Sequence, residues 1–193
     1  MILIHPFWQS CPTNLTGASA VVGINVSNVA FIPHYGLYDY GWSAWILTPA
    51  EIGGAKQISA IGVYSISYNT GYTYPNQVIK MGHVSQSAWP SATPQIDLSD
   101  LTVTNLKTVK SSFSDTVVNN VYSKHIFDSN FCYNGTSNLL IVWENRCGAW
   151  ASGYGTHNHM TGVNQGAYAF QDTTYPTGTG TRISTKPVTK IYS

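Results

Sequence analysis

Turn-forming residues recur along this chain too often to leave room for long helices. Clusters such as Asn69-Thr70-Gly71, Asn134-Gly135-Thr136 and Thr177-Gly178-Thr179-Gly180 punctuate it, and between them lie short runs rich in Val, Ile, Thr, Tyr and Trp. β-Branched and aromatic side chains suit a pleated, half-buried backbone, whereas Gly and Asn tolerate the positive φ of tight turns. No window of a dozen residues keeps apolar side chains at i, i+3, i+4 and i+7, so the helical alternative lacks its main signal. The pattern predicts strands at residues 20–26, 43–47, 57–67, 77–83, 101–110, 117–127, 139–144, 167–172 and 182–192. Many short strands punctuated in this way predict an all-β antiparallel sandwich.

Local patterns sharpen this expectation. Leu139-Leu140-Ile141-Val142-Trp143 is apolar without interruption, which predicts a central strand covered on both faces. Trp45 and Trp143 are assigned to the core. Around Gly62 the apolar register drifts, which predicts a bulge or a close backbone approach. Tyr133-Asn134-Gly135-Thr136 is a tight-turn signal, with Asn138 expected to bond back to the turn. Glu51, followed by Ile52-Gly53-Gly54, reads as an acid at a loop end whose carboxylate binds backbone amides.

At 193 residues with 43% hydrophobic content, the chain can bury one core without metals or cross-links. Only 9% of it is charged, against roughly 25% in an ordinary soluble domain. The surface must then be built from Ser, Thr, Asn, Gln and Tyr, which suits close packing against neighbours or sugars. Nine basic residues are scattered singly and the formal net charge is +1. No stripe exists that could neutralise a run of phosphates, so nucleic-acid binding is excluded. No stretch approaches the roughly 20 apolar residues of a membrane-spanning helix. Met1-Ile2-Leu3-Ile4-His5-Pro6 lacks a basic region and breaks its apolar run at once, so it does not read as a signal peptide and cytosolic synthesis is expected.

Residues 1–19 read as an arm and 20–193 as the sandwich domain. The arm carries Phe7 and Trp8, large side chains that should be shielded by the domain itself or by another subunit. Cys11, Cys132 and Cys147 are too few for a disulfide framework. Cys132 and Cys147 flank one predicted hairpin and are the pair weighed for a bridge; small buried thiols are the plainer expectation.

Candidate sites are sparse. His157 and His159, at i and i+2 on a strand, would share a face and could share a metal. No known ligand spacing completes them, so neither a metal nor any other cofactor is expected. The acids form no paired motif, and there is no Gly-x-Ser-x-Gly elbow or phosphate loop. A catalytic role is therefore not expected. Tyr35, Tyr38, Tyr40, Trp42 and Trp45 crowd one segment, and Trp150 and Tyr154 sit in a glycine-rich one. Exposed aromatics stack on sugar rings or anchor protein interfaces, and Trp42, Trp150 and Tyr154 are the candidates for such binding.

Several motifs fall in a recognisable order: Pro33-His34-Tyr35-Gly36 with Tyr38 and Tyr40, then Trp45-Ile46-Leu47-Thr48-Pro49-Ala50-Glu51-Ile52-Gly53-Gly54, then Val78-Ile79-Lys80-Met81-Gly82-His83-Val84, and last Phe131-Cys132-Tyr133-Asn134-Gly135-Thr136-Ser137-Asn138-Leu139. Over residues 33–150 this order resembles a jelly-roll, lectin-like domain of Bacteroidetes-type surface adhesins and phage virion proteins. The resemblance implies a jelly-roll-like β-sandwich and an adhesive or structural role, and it implies no chemistry. Without a signal peptide or a fibronectin-like neighbour, the expectation is a virion structural protein made in a host cytoplasm: a phage capsid decoration, fibre or tail component. Its partners would be other virion proteins and copies of itself. The alternative is a carbohydrate-binding adhesin module at a bacterial surface.

Overall fold

The computed structural model describes residue 11 and residues 19–24, 27–29, 32–66, 71–90, 95–150 and 156–193, with backbone alone at 27–29 and 156–162. Twelve strands follow one another: β1 (Ala20–Val22), β2 (Ser27–Val29), β3 (Tyr40–Leu47), β4 (Lys56–Ile66), β5 (Thr73–Val84), β6 (Gln95–Ile96), β7 (Val103–Thr116), β8 (Val121–Tyr133), β9 (Asn138–Asn145), β10 (Thr156–Gln171), β11 (Gly180–Pro187) and β12 (Thr189–Tyr192). A single helical turn, α1 (Pro49–Ile52), and a 3-10 turn at Leu98–Asp100 complete the described elements.

All ladders are antiparallel, and they form two layers. The first runs β7-β5-β9-β3-β10-β11-β6, and the second runs β8-β4-β12-β1. Strand β10 belongs to both. Its start pairs with β2 and with Ser65 and Ile66 of β4, and from Gly166 onward it pairs with β3.

Between the layers Trp45, Leu47, Ile79, Met81, Leu139, Ile141 and Trp143 meet Ile58, Ile61, Val63, Phe127, Phe131 and Ile191. The opposite face of the first layer is covered too. There Trp42, Ala44, Ile46, Leu140 and Val142 pack against Trp89, Ile96 and Leu101 from the segment between β5 and β7. Two covered faces explain why β9 is apolar at every position from Leu139 to Trp143, where a one-sided strand would alternate. Each such side chain contributes about 1.5–3 kcal/mol by leaving water.

At the β8–β9 turn, Asn134 Oδ1 accepts from the amides of Thr136 and Ser137 at 3.0 and 2.9 Å, and Gly135 takes φ 81°. Asn134, rather than Asn138, braces the turn; Asn138 Nδ2 donates to Ser85 O across to the end of β5. Near Gly62 the bulge falls three residues earlier, between Ile58 and Ala60. Glu51 caps its own helix, accepting from the amide and hydroxyl of Thr48 at 2.7 and 2.9 Å. It also receives the buried Lys186 Nζ at 2.7 Å, a partner that local sequence could not show.

The cysteine pairing differs from the pair weighed above. Cys11 is bonded to Cys132 and Cys147 is free. The reason is topological: β8 pairs with β4 in one layer, whereas β9 pairs with β3 and β5 in the other, so the turn between them crosses the sandwich instead of closing a hairpin. Cys132, between the core residues Phe131 and Tyr133, points outward. The bond fixes residue 11 against β8 of its own domain. Phe7 and Trp8 lie outside the described residues.

Candidate functional site: an aromatic cleft

The segment from Ile32 to Asp39 is tied down on several sides. Ser43 Oγ donates to Pro33 O at 2.5 Å, His34 Nε2 lies 2.6 Å from Asp115 Oδ2, the Asp39 amide donates to Asp172 Oδ1 at 3.3 Å, and Asp39 O accepts from the Gly148 amide at 3.0 Å. A turn bond from the Tyr38 amide to Tyr35 O brings the two tyrosines to the same end of the segment. Their rings lie 5.7 Å apart.

Facing them is the end of β10. The alternation Ala167-Tyr168-Ala169-Phe170 sends the alanines towards the core and both rings outward. Tyr168 and Phe170 stack at 4.9 Å with 17° between their planes, and Tyr38 stacks on Phe170 at 5.8 Å and 14°. Tyr35 meets the Phe170 ring at 5.6 Å, tilted by 60°. Gly41, opposite Phe170 in the ladder, leaves room for that ring to lie on the β3 backbone. Gly180 does the same below: a Cβ there would stand 2.6 Å from the Trp42 ring.

These residues line an open cleft of about 260 Å³, completed by Thr179, Thr181 and the backbone around Gly180. Four aromatic rings and two hydroxyl side chains face it, and no charged side chain lines it. Burial pushes the Tyr168 phenol up, and the neighbouring Tyr38 adds to the rise, so Tyr168 remains a protonated donor at neutral pH. Rings with adjacent hydroxyls suit a ligand with an apolar face and polar edges, and the volume is below the roughly 300–1,000 Å³ of sites that enclose a drug-sized molecule.

The predicted binding residues are distributed differently. Trp42 is 4% exposed and packs in the core beneath the cleft, so it supports the floor and offers no face to a ligand. Trp150 is 62% exposed; it follows Gly148, whose amide bond to Asp39 tethers that segment beside Tyr38. Tyr154 lies outside the described residues, as do the side chains of His157 and His159, whose backbone runs in β10 against β2. Among the described residues, no three His, Cys, Asp or Glu side chains gather as a metal site. No helix among them is long and apolar enough to cross a membrane. Tyr168 and Phe170 escaped the sequence reading, although their alternation with two alanines is a usable signal for a strand with one aromatic face.

The buried charged groups make cross-links between elements. Asp115 of β7 lies between His34 and His125 of β8, with Oδ1 3.2 Å from His125 Nε2. Burial alone would push this carboxyl up, yet hydrogen bonds and charge from the two imidazoles outweigh it and hold it far below the usual range. Glu144 of β9 takes Lys80 at 2.5 Å and Arg146 at 2.8 Å. Asp115 and His34 are closed to solvent, so a substrate cannot reach them. Compared with known protein families, curated proteins and solved structures, the chain matches none.

Proposed function

We propose that the protein is a non-enzymatic β-sandwich module that binds a neutral sugar in its aromatic cleft, as an attachment component displayed on a particle or cell surface. The observation that carries this reading is the uncharged cleft with Tyr35, Tyr38, Tyr168 and Phe170 on its walls. Aromatic faces bind the C–H face of a pyranose, while Tyr and Thr hydroxyls bond to its rim. The resemblance to jelly-roll adhesin and virion domains is consistent with it, and a phage fibre or tail part and a bacterial adhesin would use such a cleft alike. On a neutral-glycan array, the full chain should bind a limited set of hexose-terminated glycans, and the double substitution Tyr38→Ala/Tyr168→Ala should abolish this. No binding to neutral glycans, or binding that survives the double substitution, would reject the reading.

A second reading, assembly into a homo-oligomer or onto other virion proteins, is favoured by apolar side chains left in water: Ile24, Val163 and Ile126 are 79%, 71% and 64% exposed. With so little charge available, such contacts would be apolar and insensitive to salt. Oligomer mass that stays constant from low to molar salt supports this reading, and a monomer at all salt concentrations rejects it.

A further inference from the structure

The outer side of the second layer carries a feature of different chemistry. Around Gly62 three strands meet in register, with Lys124 of β8 on one side and Lys190 of β12 on the other. The next pairs along are Tyr64 with Tyr122, and Ala60 with Tyr192. A side chain at position 62 would press on Tyr122, since its Cβ would lie 3.2 Å from Tyr122 Cβ, and would touch the Tyr192 ring at 3.4 Å from Cε2. Glycine instead lets the Tyr192 ring lie close over the β4 backbone, which is buried at this point.

Both ammonium groups rest over rings and not beside carboxylates. Lys124 Nζ is 4.4 Å and Lys190 Nζ 5.1 Å from the centre of the Tyr192 ring, and Lys190 also approaches Tyr122 at 5.7 Å. Tyr64 supports Tyr122 edge-on at 5.0 Å. Among the described residues no acid pairs with either lysine. β1, β4 and β12 contain no Asp or Glu, and the single acid of β8, Asp128, is bonded to Ser111 and faces Lys110. In a chain whose net charge is +1, two uncompensated cations on one aromatic platform concentrate the positive field.

We propose that this face binds an acidic saccharide, with its carboxylate or sulfate between Lys124 and Lys190 and its sugar ring against Tyr122 and Tyr192. Two lysines match one anionic group and are too few for a run of phosphates, while the tyrosines supply flat amphipathic surface for a ring. The face lies on the layer away from the cleft and does not depend on the cleft's reading.

The test is titration of the full chain with a sulfated oligosaccharide and with the same oligosaccharide after desulfation. Binding to the sulfated form should weaken at least tenfold in Lys124→Ala/Lys190→Ala, persist in Lys124→Arg/Lys190→Arg, and fall steeply as salt is raised. Both lysines reach the surface, so the variants should fold; circular dichroism checks this. Equal binding of the desulfated form, unchanged affinity in the alanine variant, or equally tight binding of a short single-stranded oligonucleotide would overturn the proposal. Tyr38→Ala/Tyr168→Ala serves as the control: loss of sulfated-saccharide binding in that variant would move the ligand to the cleft and overturn the assignment here, whereas failure of neutral sugars to bind at all would leave it standing.

Discussion

Strands β9 and β7 lie in the same layer, separated only by β5, yet they are held in opposite ways. Seven of the eight β9 residues are buried, and its side chains alternate between two apolar clusters. β7 buries only Val109 and Asp115 along its fourteen residues. At its free side it meets β8 through side chains: Lys107 Nζ donates to Asn130 O at 2.6 Å, Lys110 Nζ donates to Ile126 O at 2.7 Å, and the Ser111 amide donates to Asp128. A central strand is positioned by what its side chains displace from water. An edge strand is positioned by a few polar bonds, and its lysines occupy carbonyls that another chain's strand would otherwise use.

The largest loss of stability is expected at the core end of this contrast. Trp143 is fully buried and donates Nε1–H to Gln77 Oε1 at 2.8 Å, so Trp143→Ala should cost about 3–5 kcal/mol in urea unfolding, while Thr108→Ala on β7 should stay within about 0.5 kcal/mol. Similar losses at the two positions would end the distinction. Asp115→Ala tests whether β7 owes its place to one buried carboxylate: it strands two imidazoles, and about 3 kcal/mol should be lost. A loss under about 1 kcal/mol would shift that role to Val109 and the β5 ladder.

Acid sharpens the same point. The folded pKa of Asp115 is depressed, so its contribution is complete above the ordinary value of 3.8 and is lost as pH falls below it towards the folded value. Below pH 3.8 the stability of the parent chain should therefore fall more steeply than that of Asp115→Asn, by up to about 1.4 kcal/mol per pH unit. Parallel pH curves would refute the coupling. The smallest effect belongs to Lys110→Met, which removes an exposed bond to Ile126 O and should cost less than about 1 kcal/mol. Its larger consequence should be slow self-association through the uncovered edge, measurable by light scattering.

The same contrast governs what sequence alone reveals. Continuous apolar character marks Leu139 to Trp143 as central because burial is written into residue type. The first half of β10, Thr156-His157-Asn158-His159 and onward, is polar and falls outside the ranges that the apolar pattern marks as strands; its backbone becomes one through pairing with β2, β4 and β11. Trp42 reads as a surface ring because, apart from Ala44 and Ile46 of its own strand, the cluster it joins is assembled from residues more than forty positions away. The cleft was half legible, with Tyr35 and Tyr38 in a visible aromatic run, but Tyr168 and Phe170 join them only across the β3–β10 ladder. Asp115 and Lys186 look like ordinary surface charges until their distant partners close over them.

The Cys11–Cys132 bond has a mechanical consequence. Cys132 stands opposite Gln57 and Tyr192 opposite Ala60, so the two points at which residues 11 and 192 grip the domain lie three residues apart along β4, about 10 Å at the rise of a strand. Tension applied between those residues would pass from β8 through a short length of β4 into β12 and bypass the first layer. The cleft-bearing layer would hang from this junction unloaded, and its geometry should be indifferent to pulling forces that the second layer alone must bear.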